Sequence, residues 1–429
     1  MRIVIENGGY GFDNVGDTAM LQVAVSRLQK IAADAYPQVF TESPERLLSL
    51  CPGAVPLGLR GRGLYIQPFN IVGGVNRLVS RQFYPYLIDC EHWLRSRAAG
   101  VAMPWMRYRL QRREPDFRLL DQYRADIAQA DLVVASGGGY INDSFPRHAE
   151  IVLRTLQLAQ SLGKPTALLG QGIGPLALGR LRKLAGAVLR HVNLIGLREG
   201  LLGPRLLADL GVPESRIVVT GDDAIELAYC ERGEQLGRCI GVNLRVSAYS
   251  HVGEEHVGKI RATLEKFSKQ VTADFMPIPI AYGPKDADLN AIATLLGGQM
   301  VIPDELQGVP FPSPPATIKA AGLCRVVVTG SYHAAVFALS QGVPVVGVSA
   351  SEYYVAKFSG LKKQFGDGVE HVLLNEPDLA DNLRIALQKS WDTAASVRPL
   401  LLAAAERQIG AGTQFYARVV ALGQEAGRN

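Results

Sequence analysis

Short, almost wholly apolar runs alternate with helical patterns along the chain, and this alternation constrains the fold more than any other feature. Runs such as RIVIE (2–6), DLVVAS (131–136) and RVVVT (325–329) lack the alternation of a half-exposed strand. Strands that are apolar on both sides are typical of parallel sheets with helices on both faces. The sequence therefore predicts an α/β fold built from parallel sheets.

The candidate strands fall into two groups, which agrees with the length of the chain. At 429 residues it exceeds what one ordinary core supports. We predict domains over 1–230 and 231–429, with the boundary in 226–238, and a last helix near 377–427 whose packing on the first domain is left open. The other candidate strands are TALLG (166–170), LIGL (194–197), IVVTG (217–221), CIGVNLR (239–245), ADFMPIPI (273–280), MVIP (300–303), VPVVGVS (343–349) and HVLLN (371–375).

Charge, cysteine content and hydropathy limit the class of protein to which the chain can belong. The net charge of +5 is too small to indicate nucleic acid by itself. The five cysteines show neither metal-ligand spacing nor a CxxC pair, which fits a reducing compartment. The N-terminus MRIVIENGGY begins with a strand rather than a signal peptide, and no run is long enough to span a bilayer. We therefore expect a cytoplasmic protein.

Residues 46–115 differ from the rest of the chain. They contain eleven arginines, no lysine and only three acidic residues, with eight aromatic residues interleaved. One interpretation is a helical insertion with a solvated basic face. The other is a surface that contacts anionic lipid head groups at the inner membrane surface, or a pyrophosphate-linked substrate. Nucleic acid is not expected, because no nucleic-acid motif accompanies the charge.

Glycine-rich or polar stretches follow several predicted strands. The carboxyl ends of parallel strands meet at one edge of a sheet, where ligands bind. No stretch is a nucleotide fingerprint: Asn14 and Pro175 stand where G-x-G-x-x-G needs glycine, and there is no P-loop. Any one of these stretches could be only a tight turn. Together they indicate a site where backbone N–H groups lie close to a bound anion. The stretches are NGGYGFDNVGD (7–17), SGGGYINDSF (136–145), GQGIGP (170–175), LRE (197–199), TGDD (220–223), NLR (243–245) and TGSYH (329–333).

A lone histidine, His333, lies near the start of a predicted helix in VVTGSYHAAVFALSQGVP (327–344). Ser331 is a suitable N-cap, and Gly342 followed by Pro344 ends the helix, so His333 falls about two residues into it. The helix dipole disfavours a protonated imidazole there, whereas a bound anion favours it. Such a ring suits a general acid. The alternative is a histidine satisfied by hydrogen bonds in the first turn.

Six extended stretches occur in an informative order. They are GYGFDNVGDTAML (9–21), SGGGYIND (136–143), GQGIGPL (170–176), IGLREGLLGPRLLADLGV (195–212), VVTGDDAIELA (218–228) and TGSYHAAVFALSQGVPVVGVS (329–349). As an ordered set they resemble the motifs of the polysaccharide pyruvyl transferase family. Gly203 stands where the family has serine, and residues 46–115 lie outside the resemblance.

The resemblance implies two Rossmann-like domains facing a cleft, similar to GT-B glycosyltransferases. Residues 46–115, which lie outside the resemblance, are predicted from their composition to be a basic helical insertion in the first domain. It also implies transfer of the enolpyruvyl carbons of phosphoenolpyruvate to a sugar, which forms a pyruvate ketal and releases phosphate. The histidine of the family's C-terminal motif corresponds to His333, the predicted proton donor. The arginine two residues before it corresponds to Ser331. Either another cation replaces that arginine, or the donor is different.

A trianionic donor needs several cations, preferably arginine forks. Arg198 and Arg245 both follow strands, Lys357 resembles the lysine of the family's next loop, and Arg147 is a further candidate. Each of them also fits an ordinary surface or ion-pair residue, and Arg198 has Glu199 beside it as a local partner. The predicted donor-binding residues are Arg198, Arg245, Gly330, Ser331 and Lys357.

Asp17 and Asp143 either bind acceptor hydroxyls or cap loops through Asx turns. The predicted acceptor-binding residues are Asn14, Asp17, Gly138, Gly139, Asp143 and Gln171. Neither a cofactor nor a metal is predicted, because the histidines are scattered and no acidic pair has convincing ligand spacing.

Three functions are open at this point. The first is a pyruvyl transferase that uses phosphoenolpyruvate and a nucleotide- or lipid-linked saccharide. The second is a GT-B-like glycosyltransferase with a nucleotide-sugar donor, which Ser331 favours. The third is a non-catalytic protein that binds a glycan lipid; His333 speaks against it, because binding alone needs no titratable group there.

Overall fold

In the described part of the chain, two parallel sheets, one of eight strands and one of five, form the framework of the molecule. Ile3, Val4 and Ile5 of the first strand have no exposed surface, as expected for strands covered on both faces. The α/β class that the uniform apolar runs predict is therefore confirmed. The computed structural model describes residues 1–72, 78–244, 253–283, 288–297 and 313–428.

The first sheet has the strand order β3-β2-β1-β4-β6-β7-β8, with β5 beside β6. Ile5 of β1 lies opposite Val39 on one side and Val134 on the other, both in parallel register. The strands are β1 (Arg2–Glu6), β2 (Tyr36–Thr41), β3 (Val55–Gly58), β4 (Leu132–Ala135), β5 (Gly138–Ile141), β6 (Thr166–Ile173), β7 (Leu194–Leu197) and β8 (Ile217–Val219). The helices of this part are α1 (Val15–Ile31), α2 (Pro44–Leu50), α3 (Leu59–Ile66), α4 (Tyr84–Arg97), α5 (Ala99–Gln111), α6 (Arg118–Ala128), α7 (Pro146–Ser161), α8 (Gly179–Leu189), α9 (Leu202–Asp209) and α10 (Ala224–Cys230).

The second sheet has the order β10-β9-β11-β12-β13, again with every neighbouring pair parallel. Its strands are β9 (Cys239–Asn243), β10 (Phe275–Pro277), β11 (Cys324–Thr329), β12 (Val345–Ser349) and β13 (Val369–Leu373). The helices around it are α11 (Glu254–Val271), α12 (Asp288–Leu296), α13 (Pro314–Gly322), α14 (Tyr332–Ser340), α15 (Glu352–Phe365) and α16 (Leu379–Ala426).

The predicted strands correspond to observed ones wherever the structure describes them, but the sequence misses three strands. YPQVFT of β2 contains a proline, GGYI of β5 reads as a glycine loop, and VPLG of β3 is short. Tertiary pairing in the sheet overrides these weak local signals. The strand predicted at 300–303 lies outside the described residues.

The 46–115 segment is mainly helical, as expected, but it also supplies an edge strand. It contains most of α2, then β3, α3, α4 and α5. β3 pairs in parallel with β2, with Leu57 opposite Phe40, so the segment is continuous with the first sheet. Within the described ranges, no helix has both the length and the apolar character that crossing a bilayer requires.

The final helix α16 is 48 residues long and lies against both halves of the molecule. Its Leu401 packs in a core cluster with residues of the second sheet, whereas Val419 packs with strands of the first. The predicted boundary region 226–238 covers the end of α10 and the link to β9. The domain limits themselves stay a prediction.

Candidate active site

His333 is the second residue of α14 and lines a cavity between the two halves of the molecule. The cavity has a volume of about 220 Å³. Ser331 precedes the helix at the N-cap position and also lines the cavity, and its backbone N–H donates to Oγ1 of Thr329 at 2.8 Å. The His333 side chain is only 9% exposed. The ring is therefore buried, but it borders open space.

The first turn of α1 lies directly against the imidazole ring. A Cβ atom on Gly16 would overlap the ring of His333, so only glycine permits this approach. Val15 strengthens the contact, since its N–H donates to the carbonyl of Ile280 at 2.9 Å. The glycine of the NVGD sequence thus lets the first half of the molecule close on the histidine of the second.

Asp222 faces His333 from the loop after β8. Its Oδ2 lies 3.7 Å from Nε2 of His333, and neither atom has a hydrogen-bond partner among the described residues. Burial alone would raise the pKa of Asp222, but His333 and Arg198 outweigh it and lower the pKa. Asp222 is therefore a carboxylate at neutral pH. A small movement would bring it into hydrogen-bonding distance of the ring, where it would favour the imidazolium form.

Arg198 brings a buried cation to the same place. Its Nη1 lies 3.6 Å from Oδ2 of Asp222, and its guanidinium carbon lies 4.0 Å from the centre of the Tyr332 ring. Burial alone would lower the pKa of Arg198, but Tyr332 and Asp222 hold it above the ordinary value. A Cβ on Gly172 would lie 2.6 Å from Nε of Arg198, and one on Gly139 would also overlap the guanidinium. These glycines make room for the charged group.

Glu199 does not pair with Arg198 in the structure. Its carboxylate instead accepts backbone N–H donors at the start of α9: Leu201 at 2.6 Å, Leu202 at 3.0 Å and Gly203 at 2.7 Å. This arrangement caps the helix. The guanidinium of Arg198 is thus not neutralised by its neighbour in the chain.

Lys357 on α15 supplies a second cation. Its Nζ lies 3.9 Å from the centre of the Tyr353 ring and 5.9 Å from that of Tyr332. Tyr353 reaches across to the first half, where its hydroxyl donates to the carbonyl of Gly139 at 3.3 Å. Lys357 and Arg198 therefore both border Tyr332 on the cavity wall, which suits an anion held between them.

The predicted acceptor residues divide into two groups. Asn14, Asp17 and Gly139 line the cavity. Oδ1 of Asn14 also accepts the N–H groups of Gly16 at 2.9 Å and of Asp17 at 3.2 Å, so Asn14 caps α1.

The remaining three acceptor candidates are not brought to the cavity wall. Asp143 accepts the N–H groups of Ala177 at 2.5 Å and Leu178 at 3.3 Å, which is the loop-capping alternative. Gln171 is fully buried, and its Nε2 contacts the hydroxyl of Tyr140 at 2.7 Å. Gly138 begins β5 beside it.

Two further donor candidates, Gly330 and Arg147, are not among the residues that line the cavity. The backbone N–H of Gly330 donates to the carbonyl of Asn243 at 3.0 Å, so Gly330 shapes the turn that carries Ser331. Arg147 lines a separate groove in the first half. Arg245 lies outside the described residues.

Sequence reasoning did not select Asp222, His148, Tyr140 or Tyr353 as site residues. His148 lines the cavity from the first turn of α7, and its Nε2 lies 3.0 Å from the carbonyl oxygen of Asn7. Burial lowers the pKa of His148, so the ring is neutral at pH 7. The sequence pattern that could have identified His148 is the same one that identified His333: a lone histidine in the first helical turn after a glycine loop.

The described lining of the cavity thus includes the cations Arg198 and Lys357, the carboxylate of Asp17 and the imidazoles of His148 and His333, while Asp222 is buried behind His333. Arg198 and Lys357 can hold an anion, Asp222 can orient His333, and Asp17 can accept a proton or a hydrogen bond from a hydroxyl group. In the part of the chain that the structure describes, no cluster of three or more His, Cys, Asp or Glu side chains is arranged to hold a metal ion.

Solved structures with the same fold include an epimerase and a glycosyltransferase. The UDP-GlcNAc 2-epimerase of Neisseria meningitidis, bound to UDP-GlcNAc, has a TM-score of 0.54 at 12% identity, covering 98% of this chain and 100% of its own. A glycosyltransferase from Rickettsia africae has a TM-score of 0.52 at 12% identity, with 100% and 99% covered. At these identities the likeness establishes the fold alone, and it confirms two Rossmann-like domains in a GT-B arrangement.

No curated protein matches the chain. The model of the polysaccharide pyruvyl transferase family, however, matches residues 14–352, which include Asn14, Asp222 and His333. The match covers most of the chain and every described strand except β1 and β13. The chain therefore belongs to the polysaccharide pyruvyl transferase family.

Proposed function

We propose that this protein transfers the pyruvyl group of phosphoenolpyruvate to two hydroxyls of a saccharide, forming a pyruvate ketal and releasing phosphate. The observation that carries the proposal is the interdomain cavity, where the facing pair of His333 and Asp222 meets the cations Arg198 and Lys357. Family membership supports the same reaction class.

His333 is the proposed proton donor to the methylene carbon of the donor. Protonation at C3 creates positive charge at C2, which one sugar hydroxyl attacks with loss of its proton. The C2–O bond to phosphate then breaks, and the second hydroxyl adds with loss of its proton. Of the two protons released, one replaces the proton given to C3 and one leaves with phosphate. Asp222 would stabilise the imidazolium before transfer, and Asp17 is the proposed acceptor of a hydroxyl proton.

Ser331 stands where the family has an arginine, and Arg198 and Lys357 are proposed to supply the positive charge in its place. The two cations come from the loop after β7 and from α15, and both border Tyr332. Two positive charges held by buried or aromatic surroundings suit the carboxylate and phosphate of phosphoenolpyruvate.

A thermal-shift series tests the donor. Phosphoenolpyruvate at about a hundredfold excess over its Kd should stabilise the protein by about 2.7 kcal/mol. Lys357→Gln should reduce the shift, whereas Lys362→Gln, an exposed lysine on the same helix, should leave it unchanged. Absence of any shift with phosphoenolpyruvate, together with a shift by UDP, GDP or CMP derivatives, would overturn the proposal.

The alternative that this series separates is a glycosyltransferase with a nucleotide-sugar donor. Ser331 in place of an arginine favours it, and structures of the same fold are bound to UDP-GlcNAc or UDP. The acceptor in either case would be a nucleotide- or lipid-linked saccharide.

We further propose that α4, α5 and Leu78, which precedes them, contact an anionic membrane. Leu78, Tyr86 and Val101 are 88%, 72% and 78% exposed. Phe83, Trp93, Trp105 and Tyr108 are exposed in the same stretch. Aromatic and aliphatic groups among arginines suit an interface with acidic head groups.

Vesicle sedimentation tests this contact. The protein should sediment with vesicles of phosphatidylcholine and phosphatidylglycerol but not with phosphatidylcholine alone. Leu78→Ser with Val101→Ser should weaken sedimentation, and Ile385→Ser with Leu400→Ser, which are exposed on α16, should not. Equal sedimentation of both variants would contradict the proposal.

A further inference from the structure

A basic groove lies between α4, α7 and α8, away from the cavity of His333. Its volume is about 920 Å³. Asp89 is the acidic residue among its described lining residues. The basic side chains that line it are Arg97, Arg154, Lys164, Arg180, Lys183 and Arg190. Among the described residues, Arg97, Lys164 and Lys183 form neither an ion pair nor a side-chain hydrogen bond, so their charge is available to a ligand.

Arg154 is buried in this groove without full compensation. Its side chain is 8% exposed, and its Nε has no hydrogen-bond partner among the described residues. Its contacts to carboxylates are long, at 3.6 Å to Glu150 and 3.9 Å to Asp89. Arg180 shares both carboxylates, at 3.3 Å and 3.2 Å. Arg154 and Arg180 thus share the carboxylates of Glu150 and Asp89. The buried Arg154 keeps an Nε–H group without an acceptor among the described residues.

The surrounding titratable groups experience an excess of positive charge. Burial lowers the pKa of Arg154 to about 10, and Arg180 and Arg95 add to this, although Glu150 and Asp89 oppose it. The neighbouring His92 has its pKa lowered to about 2 by burial and by Arg154, Arg95 and Arg180. An anion bound in the groove would relieve both effects.

Helix α7 connects this groove to the proposed active site. His148 in its first turn lines the cavity of His333, and Gln160 near its end lines the basic groove. This interval of twelve residues corresponds to about 18 Å along the helix axis. Arg147, Glu150 and Ile151 of the same helix line a further groove of about 960 Å³, which shares Arg180 with the basic groove.

The intermediate groove also borders the cavity itself. Tyr10 lines this groove and stacks on His148, with ring centres 5.0 Å apart. The stacked rings of Tyr10 and His148 therefore lie at the boundary between the intermediate groove and the cavity. The cavity, the intermediate groove and the basic groove thus follow one another along α7.

We propose that the basic groove binds the diphosphate of a saccharide acceptor whose sugar end reaches the cavity along α7. This inference rests on the proposed pyruvyl transfer, which requires a saccharide acceptor. Several separate cations suit a diphosphate better than a single carboxylate, because its oxygens can accept from more than one arginine and lysine. The site is distinct from the donor site at Arg198 and Lys357.

Calorimetric titration of the full chain tests the site with three probes: inorganic phosphate, inorganic pyrophosphate and UDP-glucose, a diphosphate esterified at both ends. Saturating phosphoenolpyruvate is present in each titration to occupy the donor site. Pyrophosphate and UDP-glucose should bind, and phosphate should bind more weakly. Arg97→Gln with Lys183→Gln should weaken binding of the two diphosphates by about tenfold to a hundredfold. Both residues are exposed, so the fold should be unaffected.

The matched control is Lys266→Gln with Lys269→Gln, two exposed lysines on α11, which should bind all probes as the unaltered protein does. Equal binding by the groove variant and this control would overturn the inference. So would binding of free pyrophosphate without UDP-glucose, or binding of either diphosphate that appears only when phosphoenolpyruvate is left out of the titration. The stabilisation by phosphoenolpyruvate is measured separately in each variant, so its failure counts against the proposed reaction and not against the groove.

Discussion

Two adjacent carboxylates, Asp222 and Asp223, face different partners, and the difference assigns them different roles. Asp222 faces His333 and Arg198, two residues that line the cavity. Asp223 accepts hydrogen bonds from Arg27 at 2.8 Å and Tyr416 at 2.8 Å. The first carboxylate is therefore positioned for chemistry, and the second joins α1, the loop after β8 and α16.

The variant His333→Gln should lose about a hundredfold to ten-thousandfold in turnover, because glutamine cannot deliver a proton to carbon. Phosphate release from phosphoenolpyruvate with a saccharide acceptor measures this. His256→Gln is the control, since His256 lies on α11 and contacts the backbone of Gly253. Near-normal phosphate release by His333→Gln, with the fold intact by circular dichroism, would remove His333 from the mechanism.

The variant Asp222→Asn should reduce turnover while phosphoenolpyruvate still binds. The pKa of Asp222 is lowered, so it is charged throughout the neutral range and favours the protonated ring. Without this charge, the proton donor His333 loses the carboxylate that faces it. Turnover should therefore fall, while the thermal shift with phosphoenolpyruvate is retained. Unchanged turnover in Asp222→Asn would show that Asp222 does not act through His333.

At the scale of elements, the N-cap and helix-ending residues predicted α14 well. The glycine-rich stretches were predicted less well, since one of them contains a strand. Ser331, Gly342 and Pro344 predict the bounds of α14, and His333 lies where they place it. GGYI, in contrast, is a strand because it pairs with β6, with Gly138 opposite Gln171. Propensity indicates where a helix begins and ends, but strand pairing depends on partners distant in sequence.

The approach of α1 to α14 gives a prediction at this scale. Gly16→Ala should reduce both stability and turnover, because the added Cβ would overlap the His333 ring. Gly258→Ala is the matched control: it lies in helix α11 with nothing within 4 Å of an added Cβ. That change should stabilise the protein by about 1 kcal/mol. Thermal unfolding and phosphate release measure both variants, and an active, stable Gly16→Ala protein would contradict the observed contact.

At the scale of the whole molecule, the site exists only because distant segments meet. His333 contacts Gly16 of α1 and faces Asp222 of the loop after β8, both of which belong to the half of the molecule built on the first sheet. From the sequence, strand positions predicted that Asn14, Asp17, Arg198 and His333 lie at sheet edges. They did not predict that Asp222 would face the imidazole or that Tyr353 would reach Gly139. Those relations depend on how the two domains pack, which no local pattern encodes.

The long helix α16 gives the final prediction, because it joins the two halves through a buried cluster. Tyr416 is fully buried and donates to Asp223, which also pairs with Arg27 of α1. Burial raises the pKa of Asp223 to about 6, although Arg27 and Tyr416 oppose this. Tyr416→Phe removes a donor to a buried carboxylate and should lower the free energy of unfolding by about 1–3 kcal/mol.

The pH dependence of that loss follows from the direction of the shift. A carboxyl group whose pKa is higher in the folded protein than in the unfolded chain makes folding less favourable as the pH rises through the folded value. Without the Tyr416 donor, the ionised form of Asp223 is costlier still. The destabilisation by Tyr416→Phe should therefore be larger at pH 8 than at pH 5, as measured by urea unfolding. Tyr36→Phe, at a 47% exposed position, should stay within about 0.5 kcal/mol at both pH values. A loss of equal size at pH 5 and pH 8 would show that the hydrogen bond to Asp223 is not what Tyr416 contributes.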